Sequence, residues 1–241
     1  MNILITGGNG FIAKNLIRKL ENTHKVTSIS HDDADEYLDK CCSECDVIYH
    51  LAAVQRSNNE EDFISGNVLY TKKIIEILEK NQKYVPIVFT SSILVDKDKS
   101  SMFSRSKIEA EKILRAYGDK YHKNIIVFKL NNVFGEYGKP NFNNVVATFC
   151  YNIANSKPLQ VNNPGVILPL TYIGDLMDDF ENILKNINIY NMTYSNYVKP
   201  SIVEFKTLGE IVKILGDAIN GKKVIDSFSQ KIYRTLYFYY G

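Results

Sequence analysis

Apolar runs and helical patterns alternate along the first half of the chain. Runs rich in β-branched and aromatic residues predict strands at 2–6, 25–30, 46–52, 86–92 and 124–130. The segments between them carry apolar residues at helical spacing and predict helices at 12–21, 34–42, 67–80 and 105–121. Strands that alternate with helices form a parallel sheet covered on both faces. The pattern therefore predicts an α/β fold, a doubly wound parallel sheet of the Rossmann type, whose ligands bind beyond the carboxyl ends of the strands.

The pattern changes after position 135, where "GEYGKPNFNN" is rich in Gly, Asn and Pro. Helical spacing returns at 145–156 and 207–220, and in the segment 168–187 between them Asp175 is expected to cap a helix that follows it. The aromatic-rich end of the chain is expected to pack against the rest of the protein. We therefore expect a Rossmann domain over 1–135. A smaller C-terminal lobe over 136–241, interleaved with the first domain, is expected to bind the substrate.

Composition and charge exclude several classes of protein. The chain has 241 residues, of which 45% are hydrophobic, and its 29 Lys and Arg nearly balance 27 Asp and Glu, for a net charge of +2. This balance does not favour nucleic acid or an anionic membrane surface as a partner. No apolar run approaches the roughly 20 residues of a membrane-spanning helix, and the first one breaks at once into "TGGNG". A cytoplasmic protein is the expectation.

The cysteines do not form a metal-binding pattern. Cys41, Cys42 and Cys45 cluster, and Cys150 lies far from them along the chain. No fourth ligand stands at the spacing that a zinc site needs, so no metal is expected. Reduced, partly buried thiols are the expected state.

A glycine-rich turn carries the strongest chemical signal. Gly7, Gly8, Asn9 and Gly10 follow the first predicted strand, and a helix begins directly after them. Glycines let backbone N–H groups approach a pyrophosphate at a helix N-terminus, and the small Ala13 permits close packing of helix on strand. The turn predicts dinucleotide binding. The expected contacts are Gly7, Asn9, Gly10, Phe11 and Ile12.

The end of the second strand is where the adenosine ribose is read, and "SISHDDADEY" stands there. His31 is expected to assist a 2′-phosphate, whereas Asp32 or Asp33 is suited to bind a 2′-hydroxyl. A solvated loop whose carboxylates begin the next helix is an equally good interpretation. The cofactor is therefore expected to be NADPH or NADH, with NADP preferred.

Motifs along nearly the whole chain resemble the extended short-chain dehydrogenase/reductase family, which includes NAD-dependent epimerases and dehydratases. They occur in the family's order: "TGGNGFIA", "DVIYHLAA", Asn67 in "GNVLYTKKIIEIL", "FTSS", "RSKIEAEK" and "NNVFG". The resemblance implies further cofactor contacts at Leu51, Ala52, Ala53, Asn67 and Lys107.

Later segments resemble one branch of the family more closely, the reductase domain of the capsular-polysaccharide enzyme CapF. That branch reduces a UDP-linked 4-keto-6-deoxy amino sugar and carries a cupin domain after the reductase. Because the given chain ends at Gly241, an activity of such a second domain is expected to be absent or supplied elsewhere.

The resemblance also assigns a catalytic set. Ser92 matches the Ser that hydrogen-bonds the reacting oxygen, and Lys107 matches the Lys that binds the nicotinamide ribose and lowers the pKa of a Tyr. Phe103 stands where that Tyr belongs. A phenyl ring neither gives nor takes a proton, and such help is worth roughly 10²–10⁴ in rate.

Three interpretations of Phe103 stay open. The protein uses Ser92 or a bound water for the proton, or Phe is an engineered replacement that traps a complex, or the protein binds nucleotide without catalysis. Thr90, Ser91 and Ser92 lack the acidic pair of family dehydratases, which disfavours loss of water. Reduction of a 4-keto group is favoured, with 4-epimerisation as the alternative.

The substrate is expected to be a nucleotide-linked 6-deoxyhexose. The resemblance assigns Asn132 to sugar or phosphate and Asn144 to the diphosphate, and Lys139 and Asn141 are further candidates, although loop capping also explains them. Leu168 stands where many members place an Arg, so UDP and dTDP stay equally open. The helices at 67–80 and 103–118 match the pair that family members use in a homodimer.

Overall fold

The computed structural model describes residues 1–187, 197–223 and 226–240. The chain forms two compact units, the first made of Met1–Leu130 and Phe180–Lys199 and the second of Asn131–Asp179 and Pro200–Gly241. The sequence placed the change at 135–136. In the structure the first continuous stretch ends at Leu130, and residues 180–199 also belong to the first unit.

The strands are given in chain order. They are β1 (Asn2–Thr6), β2 (Lys25–Ile29), β3 (Val47–His50), β4 (Ile87–Ser92), β5 (Ile125–Leu130), β6 (Asn132–Phe134), β7 (Ile167–Tyr172), β8 (Tyr197–Val198) and β9 (Glu204–Thr207).

The helices are also numbered in chain order. They are α1 (Phe11–Leu20), α2 (Asp35–Glu44), α3 (Glu60–Phe63), α4 (Tyr70–Lys80), α5 (Leu94–Lys97), α6 (Met102–Tyr121), α7 (Val145–Ala154), α8 (Ile173–Lys185), α9 (Leu208–Ile219) and α10 (Ser227–Phe238). A π-helical segment, Ile64–Leu69, lies between α3 and α4.

The first unit is built on a parallel sheet, as the alternating pattern predicted. Among the described residues its strand order is β2-β1-β3-β4-β5-β8, and every pairing is parallel. β3, β4 and β5 are rich in apolar residues and almost fully buried, as expected for a sheet covered on both faces. The predicted α/β Rossmann class is confirmed.

The strand order locates the ligand crevice. The chain passes from β1 to β2 on one side of the sheet and then returns to β3 on the other side of β1. The connections after β1 and β3 therefore leave in opposite directions, which opens a crevice at their carboxyl ends. The glycine turn follows β1, and Leu51 begins the connection after β3.

The second unit contains a small sheet with the order β6-β7-β9, in which β6 and β7 are parallel and β9 is antiparallel to β7. The segment 168–187 contains most of the strand β7 and the helix α8, which begins at Ile173, two residues before the Asp175 that was expected to cap it. The aromatic-rich end forms α10, with Phe228, Ile232 and Leu236 buried. The expectation that this end packs against the protein therefore holds within this unit.

The described residues show neither a membrane-spanning helix nor a metal-binding cluster. None of their helices is long and apolar enough to cross a membrane. No cluster of three or more His, Cys, Asp or Glu side chains in the described ranges is arranged to hold a metal ion. All four cysteines are buried and unpaired with one another.

Candidate active site

The glycine turn after β1 is shaped by the neighbouring connection. Gly7 has a φ of +72°, and a Cβ placed on it would lie 2.8 Å from the Cα of Ala52. The N–H of Gly10 donates to the carbonyl of Gly7 at 2.8 Å, which closes the turn directly before α1. A side chain at Gly7 would therefore be strained in its backbone and would overlap the connection after β3.

The N-terminus of α1 is open to a ligand. Gly10 occupies the cap position and supplies no side-chain acceptor for the first N–H groups of the helix. Asn9 is exposed, and Phe11 and Ile12 are partly exposed in the first turn. Free N–H groups and the helix dipole favour an anion at this end. The glycine turn therefore fits the pyrophosphate of a dinucleotide.

A hydrogen-bond chain fixes the connection after β3. The N–H of Ala52 donates to Thr6 Oγ1 at 3.2 Å, and Thr6 Oγ1 lies 2.8 Å from His50 Nδ1. His50 Nε2 lies 2.8 Å from Thr71 Oγ1, and Thr71 Oγ1 donates to the carbonyl of Asn67 at 2.6 Å. Leu51, Ala52 and Ala53 are partly buried along this connection. These hydrogen bonds join the ends of β1 and β3 to α4.

Asn67 makes its bonds inside the protein. Its Oδ1 accepts from the N–H of Val54 at 2.7 Å, and its Nδ2 donates to the Val54 carbonyl at 3.0 Å and to Ser106 Oγ at 2.9 Å. Both amide hydrogens are therefore used. The geometry supports a role in holding the connection after β3 against α6, and a direct contact with the cofactor stays a prediction.

His31 lies at the surface after β2. Its side chain is 88% exposed, and Nε2 lies 3.1 Å from Asp32 Oδ1. Asp33 accepts a hydrogen bond from the N–H of Ser30 at 2.7 Å. The imidazole and the carboxylates that were expected to bind the ribose are therefore all present at this strand end. The preference between NADP and NAD stays a prediction.

Ser92 is the last residue of β4 and is partly exposed. Its Oγ accepts a hydrogen bond from the N–H of Leu94 at 3.1 Å. No described residue accepts the proton of this hydroxyl, so Ser92 is able to donate to a reacting oxygen.

Phe103 lies in the first turn of α6, whose cap is Ser101. Its ring meets Phe63 edge to face, with centroids 6.5 Å apart. The two rings border a cleft of about 610 Å³ together with Met102. The remaining lining residues are polar: Gln55, Arg56, Ser57, Asn58 and Ser101.

Lys107 is buried one helical turn after Phe103, on the side of α6 that faces β4. Its side chain is enclosed, with the residue 2% exposed, and Nζ lies 3.9 Å from the centroid of the Phe89 ring on β4. Within the described ranges no carboxylate lies at ion-pair distance from this ammonium. Burial lowers the pKa of Lys107 to about 7, and the charge of Glu111 opposes the shift. An enclosed ammonium without an acceptor fits the ribose hydroxyls of a bound dinucleotide.

Besides Ser92, four residues were predicted to bind the substrate, and these four lie in the second unit, on the segment from β6 to α7. Asn144 caps α7 by accepting from the N–H of Ala147 at 3.0 Å, and it donates to the carbonyl of Val133 at 3.0 Å. Asn132 donates to the Pro169 carbonyl at 3.1 Å. Asn144 and Asn132 thus hold the segment together, and their contacts with a substrate stay predictions.

The two other candidates are exposed on the same segment. The backbone N–H of Asn141 donates to Thr148 Oγ1 at 2.9 Å, and Asn141 has a φ of +57°. Lys139 Nζ lies 5.0 Å from the centroid of the Phe142 ring. Their side chains are accessible to an anionic ligand from solvent.

Sequence reasoning missed four side chains of the first unit that organise the site: Thr6, His50, Thr71 and Glu111. His50 stands in the motif "DVIYHLAA", and nothing in its spacing distinguishes it from an ordinary core residue of a strand. Glu111 stands four positions after Lys107, a spacing that places both on one helix face, and this spacing was the available signal.

Comparisons with known proteins agree with this geometry. Residues 3–192 match the model of the NAD dependent epimerase/dehydratase family. The chain is 34% identical over 186 residues to UDP-2-acetamido-2,6-beta-L-arabino-hexul-4-ose reductase of Pseudomonas aeruginosa, a match that covers 76% of this chain and 50% of that protein. D-erythronate dehydrogenase of Haemophilus influenzae is 27% identical over 184 residues, 58% of each protein.

Solved structures extend the likeness to the whole chain. The capsular polysaccharide assembling protein CapF of Staphylococcus aureus superposes with a TM-score of 0.86 at 32% identity, over 99% of this chain and 66% of that one. UDP-glucuronic acid 4-epimerase of Bacillus cereus, in complex with NAD, superposes at 0.80 with 19% identity, a likeness of fold alone. The chain therefore spans half the length of the Pseudomonas reductase and about two thirds of CapF.

Proposed function

The chain belongs to the NAD-dependent epimerase/dehydratase family, and on that premise we propose that it reduces the 4-keto group of a nucleotide-linked 6-deoxyhexose with NADPH or NADH. The reductase and CapF likenesses support reduction and a place in surface-polysaccharide synthesis. NADPH is the preferred coenzyme in the proposal because of His31. The sugar is carried by UDP or dTDP.

The proposal is carried by the enclosed ammonium of Lys107, which contacts the Phe89 ring of β4 and has no carboxylate at ion-pair distance among the described residues. A protein gains no stability from burying such a charge alone, whereas a ligand that supplies acceptors offsets the cost of its burial. The glycine turn and Lys107 together would hold the dinucleotide, which supplies a hydride to C4 of the sugar when bound. Ser92 then hydrogen-bonds the 4-oxygen as negative charge develops on it.

The proton that completes the alcohol needs another source than Phe103. The Ser92 hydroxyl has no acceptor among the described residues, so it is placed to pass a proton to the 4-oxygen and to regain one from water. Hydride to C4 and a proton to the oxygen give the alcohol and the oxidised coenzyme. The reaction is expected to be slower than in a member with Tyr, since general acid help is worth roughly 10²–10⁴ in rate.

Restoring the missing hydroxyl tests this proposal. Phe103→Tyr is expected to raise kcat by about 10²-fold or more, because the phenol beside Lys107 supplies a general acid. The measurement is loss of NADPH or NADH absorbance with a UDP-linked 4-keto-6-deoxy sugar. Phe63→Tyr is the matched control, since that ring borders the same cleft and is expected to leave kcat unchanged. Equal rates for Phe103→Tyr and the wild type at every pH would show that the position carries no proton transfer.

Two other functions give different results in the same assay. A nucleotide-sugar 4-epimerase interconverts two sugars without net consumption of the coenzyme, and Phe103 makes that harder because the oxygen must be deprotonated and reprotonated. A catalytically silent member binds coenzyme and nucleotide sugar without turnover.

We also propose that the protein forms a homodimer. The exposed apolar residues near α4 and α6 support this proposal.

A further inference from the structure

A buried carboxylate joins the strand of Ser92 to the helix of Lys107. Glu111 is 3% exposed on α6, where its Oε1 accepts from the Ser91 hydroxyl and its Oε2 accepts from the Tyr197 hydroxyl at 2.7 Å. Ser91 directly precedes Ser92, and Glu111 follows Lys107 by one helical turn. A single side chain therefore connects the local backbone of both candidate catalytic residues.

The same network continues to the other side of Ser92. Lys129 Nζ lies 3.6 Å from the centroid of the Tyr197 ring and donates to both carboxylate oxygens of Asp96 at 2.6 and 2.7 Å. Asp96 belongs to α5, the short helix after Ser92. Ser92 therefore lies between Ser91, which is bound to Glu111, and Asp96, which is bound to Lys129.

Glu111 is also the negative charge that Lys107 experiences. Lys107 is faced by Glu111 from its own helix, by His50 from β3 and by the uncharged Phe89 ring from β4. Burial, followed by the charge of Lys107, lowers the pKa of His50 to about 3, so this imidazole is neutral at physiological pH. Glu111 therefore acts on Lys107 without competition from another charge among the described residues.

We propose that Glu111 is a positioning residue: by accepting from Ser91 and Tyr197 it fixes α6, and with it Lys107, against the end of β4, and its carboxylate one helical turn from Lys107 favours the ammonium form of that side chain. This role rests on the function proposed above for Ser92 and Lys107. If Glu111 only filled space, an uncharged side chain of the same shape could replace it. The proposed role predicts that such a replacement changes Lys107. The charge of Glu111, rather than its volume, is what the site needs.

Titration of Lys107 in the chain without coenzyme tests the role directly. The ε-carbon signal of Lys107, identified by its loss in Lys107→Met, is followed by NMR in protein labelled with ¹³C-lysine. The wild-type signal is expected to titrate near pH 7. In Glu111→Gln the midpoint is expected to fall by about one pH unit, because the favourable charge is removed.

Two further variants separate charge from shape. Glu79→Gln is the matched control: Glu79 accepts from Tyr121 and Lys120 at 2.8 and 2.9 Å on α4, and its loss is expected to leave Lys107 unchanged. Glu111→Asp retains the charge but shortens the side chain, and it is expected to titrate closer to the wild type than the isosteric Gln does. A midpoint unchanged in Glu111→Gln, or shifted further by Asp than by Gln, overturns the proposal.

Coenzyme binding separates this inference from the proposed function. Titration of NADH fluorescence at about pH 7.5 is expected to show roughly 3–10-fold weaker binding by Glu111→Gln, because more of its Lys107 is neutral. A wild type that binds neither NADH nor NADPH overturns the proposed function, and the NMR midpoints still decide on the charge effect of Glu111. Equal affinities in wild type and Glu111→Gln overturn the role of Glu111 while leaving the proposed function intact.

Discussion

His50 illustrates how the neighbours of a buried side chain determine its protonation. Thr71 commits its hydroxyl proton to the carbonyl of Asn67, so the nitrogen beside it, His50 Nε2, has to be the donor. Nδ1 is then unprotonated and accepts from Thr6, whose oxygen also accepts from the N–H of Ala52. Each donor in this chain has one acceptor, and the neutral Nε2–H tautomer satisfies all of them.

The tautomer is a testable consequence. Nitrogen NMR of ¹⁵N-histidine protein is expected to show a protonated Nε2 and a bare Nδ1 in His50, without titration between about pH 5 and 9, because burial disfavours the charged ring. A signal of Nδ1–H, or a transition inside that range, would contradict the assigned directions of the hydrogen bonds.

The acceptor of Nε2–H should also matter for stability. Thr71→Val leaves a buried imidazole N–H without a partner, which costs about 1–3 kcal/mol. Thr235→Val is the matched control, because Thr235 is equally buried and makes the same bond to a carbonyl four residues earlier, at 2.8 Å. Urea denaturation is expected to show a larger loss for Thr71→Val than for Thr235→Val, and equal losses would argue against the link to His50.

The π-helical segment before α4 makes close contacts with the connection after β3. A Cβ on Gly66 would overlap the side chain of Val54, and Asn67 bonds both the N–H and the carbonyl of the same residue. The segment Ile64–Leu69 takes the extra residue per turn that lets these contacts form. The element therefore places the connection that borders the ligand crevice.

Asn67→Ala is expected to destabilise the chain by about 2–4 kcal/mol, because it leaves the backbone groups of Val54 and the hydroxyl of Ser106 without their partner. The comparison is Asn155→Ala, which removes one exposed bond to the Tyr151 carbonyl and is expected to cost about 1 kcal/mol or less. Thermal unfolding measures both. Similar melting temperatures for the two variants would show that the π-helical segment does not depend on Asn67.

The same elements show how far a single sequence leads. The strands β1 to β5 lie within one or two residues of the predicted positions, because buried parallel strands are short apolar runs between helical patterns. β7 was not predicted as a strand, since "LPLTY" continues directly into the apolar spacing of α8. The π-helical segment was not predicted, and its contacts with Val54 join residues that are distant in the sequence.

The residues of the candidate site also differ in how far the sequence predicts their roles. The glycine turn was expected from its place between a strand and a helix, whereas Ser92 and Lys107 were assigned by the family resemblance, and their contacts with a ligand stay predictions. The bonds of Asn67 and of Glu111 join residues separated by 13, 39, 20 and 86 positions along the chain. Partners so distant in sequence leave no local pattern, so these roles emerge only from the fold.

The whole molecule is predicted to pair through the side that carries α4 and α6. Ile64, Leu69 and Met102 are large apolar residues at 43%, 53% and 40% exposure, on the π-helical segment and at the start of α6. A closed two-fold pair that covers them would remove apolar surface from water, and such pairs are the commonest oligomers. Sedimentation equilibrium is expected to give about twice the chain mass of 27.5 kDa.

A charge placed on that side should separate the pair. Leu69→Asp is expected to sediment as a single chain, because burying an unpaired carboxylate against a second copy costs several kcal/mol. Leu94→Asp is the matched control, since Leu94 is 49% exposed on α5 and lies outside both helices; it is expected to remain paired. A wild type of 27.5 kDa, or separation by both substitutions alike, would exclude this side as the contact and leave the active-site proposals untouched, because Ser92, Lys107 and Glu111 all belong to one chain.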